Sequence, residues 1–153
     1  MPIVPFGKVS DPAASGHRPT IGVYSLGGAH GSPRQFAQFE FDVSKMRDPA
    51  GQQQFRGKTG LVLEVQTWMR ADSRIDLVVK ECKLLADDLV KPKALTEATT
   101  TRVVPASTWL SFAFKDHHGR WAAPAVAEIV AKALSDAGYT VAIFHRELKD
   151  AVQ

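Results

Sequence analysis

A strand, a loop, a helix and a second strand follow one another between residues 107 and 146, and this succession constrains the fold more than any other feature. Residues 107–114, STWLSFAF, alternate and are rich in aromatic and β-favouring side chains, as a strand requires. Residues 115–120, KDHHGR, are short and polar with one glycine, which predicts a loop. Residues 121–137 place Val126, Ile129, Val130, Ala133 and Leu134 on one helical face, with Glu128, Lys132 and Asp136 opposite. Gly138 is placed to end that helix in a left-handed cap, and residues 138–146 return as a strand.

The loop carries the chemistry. A helix that starts just after it points unpaired N–H groups and a positive dipole end towards Lys115, His117, His118, Gly119 and Arg120. An anion there meets backbone donors and cationic side chains together. Two readings stay open: an anion or phosphate site, or a solvated polar loop between strand and helix. Metal ligation by His117 and His118 is disfavoured, because neighbouring histidines on an extended loop point apart and no ligand spacing is complete. Trp121 opens the helix, where it either stacks on a base or caps the core.

Upstream, residues 1–19 hold four prolines and no periodicity, so a flexible leader is expected before a single domain over residues 20–148 and a tail over 149–153. The first 15 residues lack a signal-peptide pattern. Residues 20–26 form the first strand. A glycine-rich turn with Gly28, His30 and Gly31 follows, whose spacing is neither that of a Walker loop nor that of a dinucleotide fingerprint. A second strand ends near Asp42, whose carboxylate either orients a ligand loop or caps nearby amides. Thr59 is expected to cap a helix over 60–70 with Leu61, Val65 and Trp68 inward. Ser73, with Asp76 three residues on, opens a helix to about residue 90. Ile75, Val78, Val79, Cys82, Leu85, Ala86 and Leu89 form its apolar stripe. A short edge strand is expected at 101–104. His145 and Arg146 close the last strand, Arg146 being either a phosphate partner through its fork of donors or an edge-strand residue paired with Glu147 or a neighbouring acid.

The fold class that results is α/β: one domain with a small, mostly parallel sheet of about four strands and helices packed on it. The net charge of +3 permits nucleic-acid contact without requiring it. No apolar run spans a bilayer, and the single cysteine allows no internal disulfide, which fits a reducing, cytoplasmic setting. No nucleophile–base pair, metal constellation or cofactor motif is visible, so an enzyme is the weaker reading.

The motifs also carry a resemblance. Residues 25–33 (SLGGAHGSP), Phe41-Asp42-Val43, Arg56 with Thr59-Gly60-Leu61, Gly119-Arg120, and His145-Arg146-Glu147-Leu148 occur in an order that resembles the C-terminal domain of the RapZ family of bacterial RNase adapter proteins. The likeness covers residues 20–148. It implies an α/β domain that binds RNA, senses an amino-sugar phosphate and forms a homodimer, here as a stand-alone version. The candidate anion- or ligand-binding residues are Gly28, His30, Gly31, Asp42, Arg56, Thr59, His145 and Arg146, with Lys115, His117, His118, Gly119 and Arg120. Where the family continues that loop with His-Arg-Ser, this chain has Trp121-Ala122-Ala123. A sugar-phosphate sensor and a protein–protein interaction module are the alternatives to an RNA-binding adapter.

Overall fold

The computed structural model describes residues 3–5 (backbone only), 21–28, 37–90 and 110–148. His30, Gly31 and the edge strand expected at 101–104 lie outside the described residues.

Five parallel strands form one sheet: β1 (Ile3–Pro5), β2 (Ile21–Gly27), β3 (Phe39–Asp42), β4 (Leu110–Asp116) and β5 (Val141–His145), in spatial order β1-β5-β2-β4-β3. Four of these are the expected strands. The fifth, β1, lies in the stretch read from the sequence as a leader and pairs with Val141–Ile143. Among the described residues three helices pack with the sheet: α1 (Leu63–Met69), α2 (Ser73–Leu89) and α3 (Ala122–Asp136).

Because β4 and β5 flank β2, the helix joining them must cross β2, and α3 does so. Alternate residues of the central strands therefore meet it. Ile21, Val23, Phe112, Phe114, Val141 and Ile143 join one core with Val126, Val130 and Leu134. Burying Phe112 and Phe114 completely contributes about 2–3 kcal/mol each. The opposite residues Leu26 and Ala113 belong to a second, smaller cluster with Ala37 and Tyr24.

The sequence pattern gives α3 one apolar face. The structure buries it nearly all round, because α1 and α2 pack on the side away from the sheet. Its run of alanines at 122, 123, 125, 127 and 131 makes that close approach possible, and Ala133, expected inside, is only half-buried. Gly60 shows the same tightness. A Cβ there would lie 2.2 Å from the Trp121 carbonyl oxygen and 2.4 Å from the Ala125 nitrogen.

Three expectations need correction. The second helix is capped by Asp72, whose carboxylate accepts from the Arg74 amide at 3.0 Å, and Ser73 is its first residue. The helix expected over 60–70 starts at Leu63, since Gly60 N–H donates to the Arg120 carbonyl at 2.9 Å instead of entering a helix. It buries Val65 and Met69, with Trp68 half-exposed beside them. Leu89, placed in the α2 stripe, is 43% exposed, whereas Ile75, Cys82 and Ala86 are buried. Burial pushes the Cys82 thiol pKa far up, so it is packing and not a nucleophile. Gly138 does adopt the left-handed cap, at φ 101°.

Candidate functional site

Parallel strands all end at one edge, which gathers Gly27, Asp42, Asp116 and His145 at the carboxyl ends of β2, β3, β4 and β5. Open α/β sheets bind ligands along this edge. A cavity of ≈ 420 Å³ opens there between β3 and β4, lined by Gly28, Glu40, Phe41, Asp42, Ser44, Lys115, Asp116 and His117. A smaller space of ≈ 70 Å³ adjoins it, with Asp48, His118 and Trp121 in its wall.

Strand β4 runs two residues further than its aromatic pattern implies, so Lys115 and Asp116 belong to it and not to the loop. Lys115 Nζ lies 3.3 Å from Glu40 Oε1 on the neighbouring strand. Asp116 has the deciding position. Its Oδ2 accepts from the Ala123 N–H at 2.9 Å, and its Oδ1 accepts from the Gly119 N–H. Two of the amides that the sequence offers to an external anion, one in the loop and one in the first helical turn, are thus held by the chain's own carboxylate. Pro124 has no N–H, and Ala125 N–H already donates to the Trp121 carbonyl at 3.1 Å. Burial raises the Asp116 pKa, and the hydrogen bonds from Ala123 and Gly119 oppose the shift only in part.

The other candidate residues divide into those at the cavity and those away from it. Gly28, Asp42, Lys115 and His117 line it. Asp42 Oδ1 accepts from the Ser44 N–H at 2.9 Å. Hydrogen bonding from Ser44, with Lys45 and Lys115 adding their charge, holds its pKa below the usual carboxylate range. It therefore caps its own loop while facing the cavity. His117 and His118 do not point apart: their rings meet edge to face at 4.4 Å, and His118 contacts Trp121 at 6.0 Å. Gly119, at φ 73°, is pressed against the end of β2, where a Cβ would lie 2.7 Å from Gly27 N. Arg120 presents its carbonyl to Gly60.

Thr59 and Arg56 are not in the cavity wall. Thr59 Oγ1 accepts from Leu61 N–H at 3.3 Å, and Arg56 is exposed at the end of a 3₁₀ turn, Gln53–Phe55. Arg146 is tied down, with Nε donating to Glu147 at 2.9 Å and Nη2 to the Gly27 carbonyl at 3.1 Å. Glu147 in turn accepts from Gly27 N–H at 2.7 Å. His145 points inward. In the neutral ring, Nε2–H donates to Glu128 Oε1 at 2.9 Å and Nδ1 accepts from the Ser25 hydroxyl at 2.7 Å. Ser25, His145 and Glu128 have the composition of a hydrolase triad, but Ser25 is 0% exposed in mid-strand. Ser25 is closed to solvent, and the chain of hydrogen bonds joins β2, β5 and α3. Among the described residues no group of three or more His, Cys, Asp or Glu is placed to hold a metal ion, and no helix is long and apolar enough to cross a membrane.

Glu40, Ser44, Asp48 and Asp116 were missed as site residues by the sequence reading. Glu40 was legible: between Phe39 and Phe41, alternation puts it on the opposite face. Asp116 was legible as a carboxylate at a strand end, three residues before a glycine and six before the first residue of a helix.

The RapZ C-terminal domain family matches residues 19–149 of this chain. The chain belongs to that family. None of the curated proteins matches it. Residues 115–118, 121 and 122 of this domain line the cavities at the sheet edge described above.

Proposed function

We propose that this RapZ C-terminal domain is a non-catalytic adapter that binds RNA and holds a small phosphate-bearing molecule in the cavity between β3 and β4. The observation that carries the small-molecule half is the cavity itself. Its ≈ 420 Å³ falls in the range of small-ligand pockets, and its wall mixes Lys115 and His117 with Asp42 and Glu40. A phosphate is served by the two basic groups, and hydroxyl or ammonium groups by the carboxylates. A sugar phosphate, or an amino-sugar phosphate as in the family resemblance, has both. A nucleic-acid backbone fits this cavity poorly, since three carboxylates line it and Asp116 already occupies the Ala123 amide in the first turn of α3. The RNA half rests on family membership and on the net charge of +3.

Calorimetry with glucosamine phosphate, glucose phosphate and glucosamine tests the cavity. Saturable one-site binding of the first is expected, weakened at least roughly tenfold by Lys115→Ala, with both partial ligands weaker. Equal binding by wild type and Lys115→Ala removes the assignment. A filter-binding titration against RNA at low salt tests the other half, since phosphate contacts make affinity fall steeply with salt. The homodimer expected from the resemblance is supported by exposed Leu63, Leu77 and Leu84 on α1 and α2. A monomer mass by light scattering across the micromolar range would remove it.

A further inference from the structure

We infer that the surface built from residues 44–74 docks single-stranded nucleic acid, with Arg47 lying flat on Trp68 as its stacking platform. This rests on the RNA reading above and says where on the domain the contact is made.

Charge is the first ground. The described residues hold 12 Lys and Arg against 13 Asp and Glu. Within 44–74 the ratio is reversed: Lys45, Arg47, Arg56, Lys58, Arg70 and Arg74 stand against Asp48, Glu64 and Asp72. The other described residues hold 6 basic against 10 acidic side chains. Among the described residues, an excess of positive charge is therefore local to this stretch. The acids within the stretch are also engaged. Glu64 pairs with Lys58, Asp72 with Arg74, and Asp48 accepts from the Ala50 N–H. Lys45, Arg56 and Arg70 are exposed and have no ion-pair partner among the described residues.

Geometry is the second ground. The Arg47 guanidinium carbon sits 3.9 Å from the centroid of the Trp68 ring. Its Nη1 donates to the Trp68 carbonyl at 2.8 Å, and its backbone N–H donates to Asp72 at 3.0 Å. Phe55, buried, meets the Trp68 ring edge to face at 5.5 Å and fixes the indole from behind. An arginine that is both exposed and held at three points presents a rigid plane with free N–H donors along its rim. That is the arrangement on which an unpaired base stacks while its phosphate is hydrogen-bonded. A mobile surface lysine offers only charge. The same loop also borders the cavities through Ser44 and Asp48, so a strand lying across it passes the cavity mouth. This gives a route by which an occupied cavity alters strand binding.

The test is fluorescence anisotropy with the full chain and a labelled single-stranded RNA of roughly 12 nucleotides, over a salt series. Arg47→Ala should weaken binding roughly tenfold and flatten the slope against salt by about 1. Arg47→Lys should restore the slope but not the affinity, because the ammonium cannot stack as a plane. Arg56→Ala touches none of the Trp68 contacts and should also lower the slope by about 1. A pair of changes on α2, Lys80→Ala with Lys83→Ala, should leave binding within a factor of roughly two. Thermal melts of each variant separate loss of binding from loss of fold. If wild type binds and both Arg47→Ala and Arg56→Ala bind equally well, this surface is wrong while the RNA reading stands. If wild type fails to bind at low salt, both fail. If polyglutamate displaces RNA as well as unlabelled RNA does, the patch is a general anion surface and the stacking assignment falls.

Discussion

Replacing Asp116 by alanine tests how the domain uses the end of α3. The carboxylate bridges Gly119 N–H in the loop and Ala123 N–H in the first turn, so it acts as a helix cap from outside the helix. Loss of such a cap costs about 1 kcal/mol. Gly119 is buried, and among the described residues its amide has no acceptor but Asp116, which adds about 1–3 kcal/mol. Removing a carboxylate that is itself disfavoured by burial offsets part of this. The expected net loss is about 2 kcal/mol, read by urea melts, or a fall in melting temperature of roughly 4–8 °C for a domain of this size. The variant also frees two amides at a helix amino end, so an external anion should replace the missing carboxylate. Sulfate at about five times its dissociation constant should restore about 1 kcal/mol to Asp116→Ala beyond its effect on wild type. A loss under about 0.5 kcal/mol, or an equal response of both proteins to sulfate, refutes the view that Asp116 is the resident anion of this site.

The same group sets a pH signature. Its folded pKa is raised, so its contribution is fully present below the ordinary carboxylate value and is lost as pH rises through the folded value. The stability of wild type relative to Asp116→Asn should therefore grow on acidification from about pH 7 to about pH 3, and a difference that shrinks contradicts this. Asp42 runs the other way: its pKa is lowered, so its small contribution is present above the ordinary value and disappears as pH falls through the lowered one. Gly60→Ala should cost about 3 kcal/mol or more in chemical denaturation, because the new Cβ meets two backbone atoms at 2.2 and 2.4 Å. Gly51→Ala, with open space around it and no positive φ, should stay within about 0.5 kcal/mol. Ser25→Ala strands a buried ring nitrogen of His145 and should cost about 1–3 kcal/mol. Binding of glucosamine phosphate by the protein that remains folded should be unchanged, and a loss of binding without loss of stability would place His145 at the ligand after all.

The architecture was legible because the signals that specify it are local. Alternation at residues 107–114, a helical stripe at 121–137 and a glycine at its end fixed one βαβ unit, and a parallel pair with an intervening helix follows from that. The side-chain partners across the sheet were not legible, since register and strand order decide them. His145 and Ser25 are 120 residues apart and meet only because β5 lies beside β2 at that register. The same holds for Lys115 and Glu40, which are brought together by the β3–β4 pairing. The basic residues at 115–120 were legible, but the acid among them, Asp116 at the end of β4, was not weighed. A dipole that attracts an external phosphate attracts a nearby aspartate more readily, because the aspartate is already tethered.

That preference has a consequence for how this family member recognises charge. With Asp116 seated on the Ala123 amide of α3, the cavity at the carboxyl edge of the sheet presents, among the described residues, Asp42 and Glu40 beside two basic groups, Lys115 and His117. Lys115 is already partnered by Glu40. Such a wall discriminates by hydrogen-bond pattern and not by net charge, which suits one small ligand of mixed polarity. A polyanion needs a surface where positive charge is in excess and solvent-facing, and among the described residues only the 44–74 stretch has that balance. The two proposed recognition tasks would thus be separated by the loop that carries Ser44, Lys45, Arg47 and Asp48, which borders the cavities through Ser44 and Asp48 while Arg47 stacks on Trp68. Coupling between ligand and RNA, if the domain has it, must pass through that loop. Ligand binding at wild-type strength in Arg47→Ala together with lost RNA binding is the pattern that separation requires.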